Sequence, residues 1–268
     1  MGNIIVMEET TKNPLELIGV SSGVCWGANI ENTQKNIERG RSNLKSGHMR
    51  TAEFPQVYLV IDGYSARVIR ELYTHIGGGP TRLQASTRYI QYGAFDFITP
   101  PSIEKNKLAK DRYDLAMKTI SECYCRLEEL DIPKEDIANI LPLGMTTKVV
   151  LRTNLRNLID MSHQRMCTRA YWEFRNLFND IIKALSAYSE QWAEIIKDYF
   201  KPKCEVCGFC EEEKTCGRKP SKEKINEIYK AGKIFIEEAN EFLEREQNSE
   251  IIFVDEEAEA FERILDKL

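Results

Sequence analysis

Residues 151–199 read as helix for nearly their whole length, and this run does most to limit what the chain can fold into. Advancing about 100° per residue sets Asn154, Leu158, Met161, Arg165 and Trp172 in one stripe, with Arg169 a turn beyond Arg165. A stripe that mixes apolar anchors with guanidinium groups packs on one side and holds its donors still. The place for a break is Cys167-Thr168.

The rest of the chain predicts a mixture of strands and helices. Residues 57–61 (VYLVI) form a β-branched and aromatic strand ended by the turn pair Asp62-Gly63, and a helix follows over 65–75. Phe95, Phe97 and Thr99 alternate along a second expected strand at 92–99, with Gly93 at a bulge and Pro100-Pro101 as its stop. Leu108, Tyr113, Ala116, Ile120, Cys123 and Leu127 recur at helical spacing through 103–129, and a short helix is expected over 133–139 after Asp131. A polar helix over 221–246 and a short acidic one over 256–268 close the chain, which has no internal repeat.

Two arginine-bearing stretches carry the chemistry: 81–89 (TRLQASTRY) and 154–175 (NLRNLIDMSHQRMCTRAYWEFR). Arginine's planar fork meets phosphate or carboxylate oxygens in pairs, where lysine offers a mobile point charge. Set among apolar residues, these side chains suit a phosphorylated ligand and point to nucleotide chemistry. The plainer reading is an amphipathic helix whose arginines pair with Asp160 and Glu173.

These residues resemble the flavin-dependent (alternative) thymidylate synthases. The family's Asn-Leu-Arg opening falls on Asn154, Leu155 and Arg156, its following arginine on Arg165, and its Ala-x-x-Glu-hydrophobic-Arg close on Ala170, Glu173, Phe174 and Arg175. The Ser-x-Arg-Tyr that ends the family signature falls on Ser86, Thr87, Arg88 and Tyr89, with Gln84 where the family usually has Glu. Ser46-Gly47-His48 with Glu53, and the run 60–67 (VIDGYSAR), resemble the segments that precede it, so the likeness covers roughly residues 15–200. The departures are specific. The signature normally begins Arg-His-Arg and has an Asn between its serines; here stand Thr74-His75-Ile76, then Gly77-Gly78-Gly79-Pro80 with a two-residue insertion, and Leu83. A ring-contacting His of the family is Arg169, an Asn is Asp160, and no Arg stands in the 138–140 run. The missing charge has candidates in Arg82, Arg70 and the backbone N–H groups of the Gly77 to Gly79 turn, which can form an anion nest.

The resemblance implies an α+β fold, an antiparallel sheet with long helices, in a domain over residues 1–200. It implies reductive methylation of dUMP to dTMP, with methylenetetrahydrofolate as carbon donor, FAD as hydride carrier and NADPH as reductant. Gln84, Ser86, Arg88 and Arg165 are then the nucleotide-binding candidates. His48, His75, Arg82, Asn154, Arg156 and Arg169 are the candidates for the flavin. It also implies a homotetramer with sites formed between subunits. Two other readings stay open: a non-catalytic or altered-specificity relative that binds flavin and a pyrimidine nucleotide, and a partner-binding protein anchored by its cysteines.

The net charge of −5 argues against a dedicated nucleic-acid binder, which usually shows a basic face. No apolar run approaches the roughly 18 residues of a membrane span, and residues 1–20 lack a signal-peptide core, so a cytoplasmic protein is expected. In such a chain Cys204, Cys207, Cys210 and Cys216, spaced C-x2-C-x2-C-x5-C, predict a metal site in a segment at 201–220, followed by a helical extension at 221–268. Structural zinc with four thiolates is the first reading and an iron–sulfur cluster the second. Cys25, Cys123, Cys125 and Cys167 stand alone as small buried or half-buried residues.

Overall fold

The computed structural model describes residues 2–246, so the acidic helix expected at 256–268 lies outside the described residues. In chain order the elements are β1 (Asn3–Val6), α1 (Pro14–Cys25), α2 (Thr33–Lys45), β2 (Gln56–Ser65), α3 (Ala66–Leu72) and β3 (Thr81–Gln84). Then come α4 (Pro101–Glu104), α5 (Lys107–Glu129), α6 (Lys134–Ile137), β4 (Thr146–Asn154), α7 (Leu155–Arg165), α8 (Trp172–Tyr188), α9 (Glu190–Tyr199), α10 (Lys203–Cys207) and α11 (Lys222–Glu246). The chain divides into two compact units, Met1–Val206 and Cys207–Leu268, so the division falls within the cysteine segment.

In the first unit the four strands form one antiparallel sheet in the order β1-β2-β4-β3. Period-2 alternation turns Val57, Leu59 and Ile61 of β2, and Val149 and Leu151 of β4, into the core. Helices α3, α7, α8 and α9 cover that face with Leu72, Leu158, Phe174, Phe178 and Trp192, all fully buried. Trp192 satisfies its one polar atom, because Nε1 donates to Thr11 O at 2.8 Å. Helices α1 and α2 pack as a close pair. A Cβ on Gly40 would stand 2.1 Å from Leu15 O, and one on Gly19 would stand 1.8 Å from Asn36 O, so the crossing admits hydrogen alone at both positions.

Several expectations need correction. Strand β2 does not stop at Asp62-Gly63: Gly63 takes φ 74°, the register against β4 shifts between Asp62 and Tyr64, and pairing resumes to Ser65. A neighbouring strand on each side makes a bulge cheaper than a turn. The strand expected at 92–99 does not form. Phe97 alone makes a bridge there, to Met145, while Tyr92 packs in a small cluster with Tyr124, Ile137 and Met145. Gly93 is not a bulge but a close approach to α5, where its carbonyl accepts from Ser121 Oγ. The long helix expected at 151–199 is four pieces. Its start belongs to β4, whose run TTKVVLRT is rich in β-branched residues, residues 166–171 are irregular, and Ser189 caps α9 by accepting from Trp192 N.

In the second unit, Cys210 bridges to Ser221 just before α11 begins. Among the described residues, no helix is long and apolar enough to cross a membrane.

Candidate active site

The site is built on the junction of β4 and α7. Asn154 is both the last strand residue and the helix N-cap: its Oδ1 accepts from Asn157 N at 2.9 Å and its Nδ2 donates to Gly78 O at 3.5 Å. This direct turn puts Arg156 in the first turn of α7 and Arg165 at its end. At 1.5 Å rise per residue the two lie roughly 13 Å apart along the axis.

Around Arg165, four elements converge. Its guanidinium lies over the Phe174 ring at 4.3 Å, its Nη1 pairs with Glu71 Oε2 at 3.1 Å, and its Nε donates to His75 Nε2 at 2.9 Å. Arg82 of β3 donates from Nη2 to the His75 carbonyl and stands 5.1 Å over the Tyr73 ring. Burial first, and then the charges of Arg165 and Arg82, push the His75 pKa down to about 4. A ring that accepts at Nε2 is neutral and carries its proton on Nδ1.

At the other end of α7, Arg156 pairs with Glu53 at 2.6 Å. Arg156 and His48 both line a cavity of about 470 Å³ with Cys25, Trp26 and Met49. Trp26 is 70% exposed, an apolar face beside two cationic or polar groups. Between the two ends runs the glycine loop. Gly78 takes φ 69°, and a side chain there would collide with the Asn154 amide. Arg152 Nη2 donates to Gly79 O at 2.9 Å. The Nε atoms of Arg82 and Arg152 are buried without a partner among the described residues, two donors with no acceptor.

Not every expected residue joins these groups. Gln84 Nε2 donates to Thr147 Oγ1 at 3.3 Å, and Ser86 Oγ accepts from Arg88 N at 3.2 Å. Arg88 pairs with Glu135 at 2.8 Å on an exposed surface. Arg169 lies exposed in the irregular link between α7 and α8. The pairing of the helix arginines with Glu173 fails as well. Glu173 is buried and accepts from Ser65 N at 2.7 Å and Ser65 Oγ at 2.6 Å, so it ties α8 to the start of α3. The carboxylate that meets Arg165 is Glu71, which the sequence reading missed; its one signal is the four-residue spacing to His75.

The family model described as thymidylate synthase complementing protein matches residues 6–189. The chain belongs to this family. A flavin-dependent thymidylate synthase from Nitratidesulfovibrio vulgaris is 29% identical over 197 residues, covering 69% of this chain and 77% of that one. One from Clostridium tetani is 27% identical over 249 residues, 84% of this chain and 97% of its own. The fold is similar to Thymidylate Synthase X from Helicobacter pylori, solved with FAD and dUMP: TM-score 0.56, 18% identity, 74% of this chain and all of that one.

For a thymidylate synthase complementing protein, the donor set fits an anionic flavin. The Nε atoms of Arg82 and Arg152 are donors without an acceptor, Arg152 and Asn154 both donate to the glycine loop, and Arg156 and His48 line the cavity at the start of α7. The family match ends before the cysteine segment. The expected four-thiolate site is not assembled there: among the described residues, no three His, Cys, Asp or Glu are gathered as a metal shell. Cys207 Sγ donates to Phe209 O at 3.1 Å, and the Cys210 backbone is committed to Pro220 and Lys222.

Proposed function

We propose that this protein makes dTMP by reductive methylation of dUMP, with methylenetetrahydrofolate as the carbon donor and NADPH as the reductant. The observation that carries this is the family match over residues 6–189, which spans every residue assigned to flavin or nucleotide, from His48 to Arg169. FAD, when bound, carries the hydride; the protein supplies binding, orientation and charge. In this reading Asn154, Arg156 and His48 face the flavin, and Arg82 supplies charge that the family takes from the arginines absent at Thr74 and Ile76. Arg165 holds the nucleotide, together with Gln84 at the end of β3 and Ser86 and Arg88 in the segment after it. Exposed Ile76, Leu83, Tyr89 and Ile90 in that region support a homotetramer whose sites form between copies.

Purified protein should show flavin absorbance that shifts when dUMP is titrated in, and should release dTMP once methylenetetrahydrofolate and NADPH are added. No spectral change at millimolar dUMP overturns the substrate assignment. Spectral change without dTMP favours a second reading, a non-catalytic nucleotide-binding relative, for which the outward pairing of Arg88 with Glu135 speaks. For the cysteines, spacing alone supports a structural thiolate site apart from the flavin-directed residues. Elemental analysis should then find about one zinc per chain, or about four irons, and a metal-free protein removes it.

A further inference from the structure

Glu71 has no part in the roles assigned above, yet among the described residues it makes the one carboxylate contact to the arginine on which nucleotide binding is proposed to rest. It sits near the end of α3, whose start is pinned by Ser65: that hydroxyl caps the helix by accepting from Val68 N and itself donates to buried Glu173. The helix therefore presents Glu71 from a fixed frame. Arg165 comes from a different element, and three partners fix its plane: the Phe174 ring beneath at 4.3 Å, His75 on Nε at 2.9 Å, and Glu71 on Nη1 at 3.1 Å. The guanidinium side chain is 17% exposed and that of Glu71 is 28%, so the pair is held where water screens it poorly. Arginine has five N–H donors, and these contacts use Nε and Nη1, one from each of the two open edges of the fork. Nη2, shared by both edges, has no partner among the described residues and is the donor left for a ligand.

We propose that Glu71 is a positioning residue: it orients the Arg165 guanidinium, in concert with neutral His75, so that Nη2 meets the nucleotide. This rests on the reading of Arg165 as the nucleotide's arginine. Without the carboxylate, Arg165 gains rotamers that turn its fork away, and binding must then restrict them. A glutamine at 71 keeps an acceptor of the same reach but loses the charge, so it restores part of the function.

The test compares wild type, Glu71→Ala and Glu71→Gln as flavin-loaded protein. The dUMP dissociation constant is read from the flavin spectrum, and the thermal midpoint checks folding. Glu71→Ala should weaken dUMP binding about tenfold, the scale of a lost charge-assisted bond, and Glu71→Gln by less. Affinity that is unchanged in folded Glu71→Ala overturns the proposal. Affinity that improves also overturns it, because the carboxylate then competes with the ligand for Arg165. A second readout needs no nucleotide: the NMR titration of His75, one of three histidines in the sequence. Its neighbours are Arg165, Arg82 and Phe174. In Glu71→Ala the released Arg165 should leave the ring, and the His75 pKa should rise from about 4 toward its ordinary value. An unmoved His75 shows that Arg165 stays in place without Glu71 and sinks the positioning role. Wild-type protein that binds no dUMP overturns the functional reading instead, while the titration still decides whether Glu71 holds Arg165.

Discussion

At the residue scale, the side chains that matter are those with more than one partner. Arg165 meets a carboxylate, an imidazole and an aromatic face at once, a geometry that lysine cannot reproduce with a single point charge. Arg165→Lys should therefore weaken dUMP binding by about 1 to 3 kcal/mol with little change in stability, as read by spectral titration and thermal melting. Unfolding of the variant with normal affinity in its folded fraction would mark Arg165 as structural. His75 yields a pH prediction. Its folded-state pKa stands near 4 against an ordinary 6.5, so between those values the unfolded chain binds more protons. Stability is then fully present above about pH 6.5 and is lost as the pH falls toward 4. Burial also lowers the pKa of His163, which adds to the same trend, so the decisive comparison is with His75→Gln. The denaturation midpoint of that variant should fall less than that of wild type between about pH 7 and about pH 4.5. Parallel curves would show that His75 is not the group responsible.

Among elements, the helix pair α1 and α2 depends on two glycines. Gly40→Ala places a methyl against the Leu15 carbonyl, which belongs to helix backbone and cannot swing aside, so α1 must shift. The expected cost is about 1 to 3 kcal/mol, measured by urea denaturation, and an unchanged midpoint would mean the crossing is loose. The same scale shows where local reading succeeded. Helices α3, α5, α6 and α11 fall close to their expected positions because caps such as Ser65 and Asn106 and long apolar periodicity are local signals. The last four residues of β4, LRTN, carry a helix signal because they run into a strong helix, and what makes them strand is pairing with Gln56–Ser65, far away in sequence. Strand β3 gave no signal, since three of its four residues are exposed and its pairing to β4 comes from the sheet edge.

For the whole molecule, the family match at 6–189 ends before Cys204, the first of the clustered cysteines, and the first compact unit ends at Val206. A chain ended after Val206 should keep bound flavin and its response to dUMP, checked by absorbance after gel filtration. Loss of flavin from a folded truncation would show that the tail helps build the site. The sequence by itself determined the family and the α+β class, because these follow from short ordered motifs such as Asn154-Leu155-Arg156 and Ser86-Thr87-Arg88-Tyr89. Only the tertiary structure decided which of these side chains meet. Glu71 and Arg165 are 94 residues apart, and Arg156 and Glu53 are 103 apart. Such ion pairs are set by how α3, α7 and the turn that ends at Glu53 pack on the sheet, and no periodicity within these segments encodes the partner.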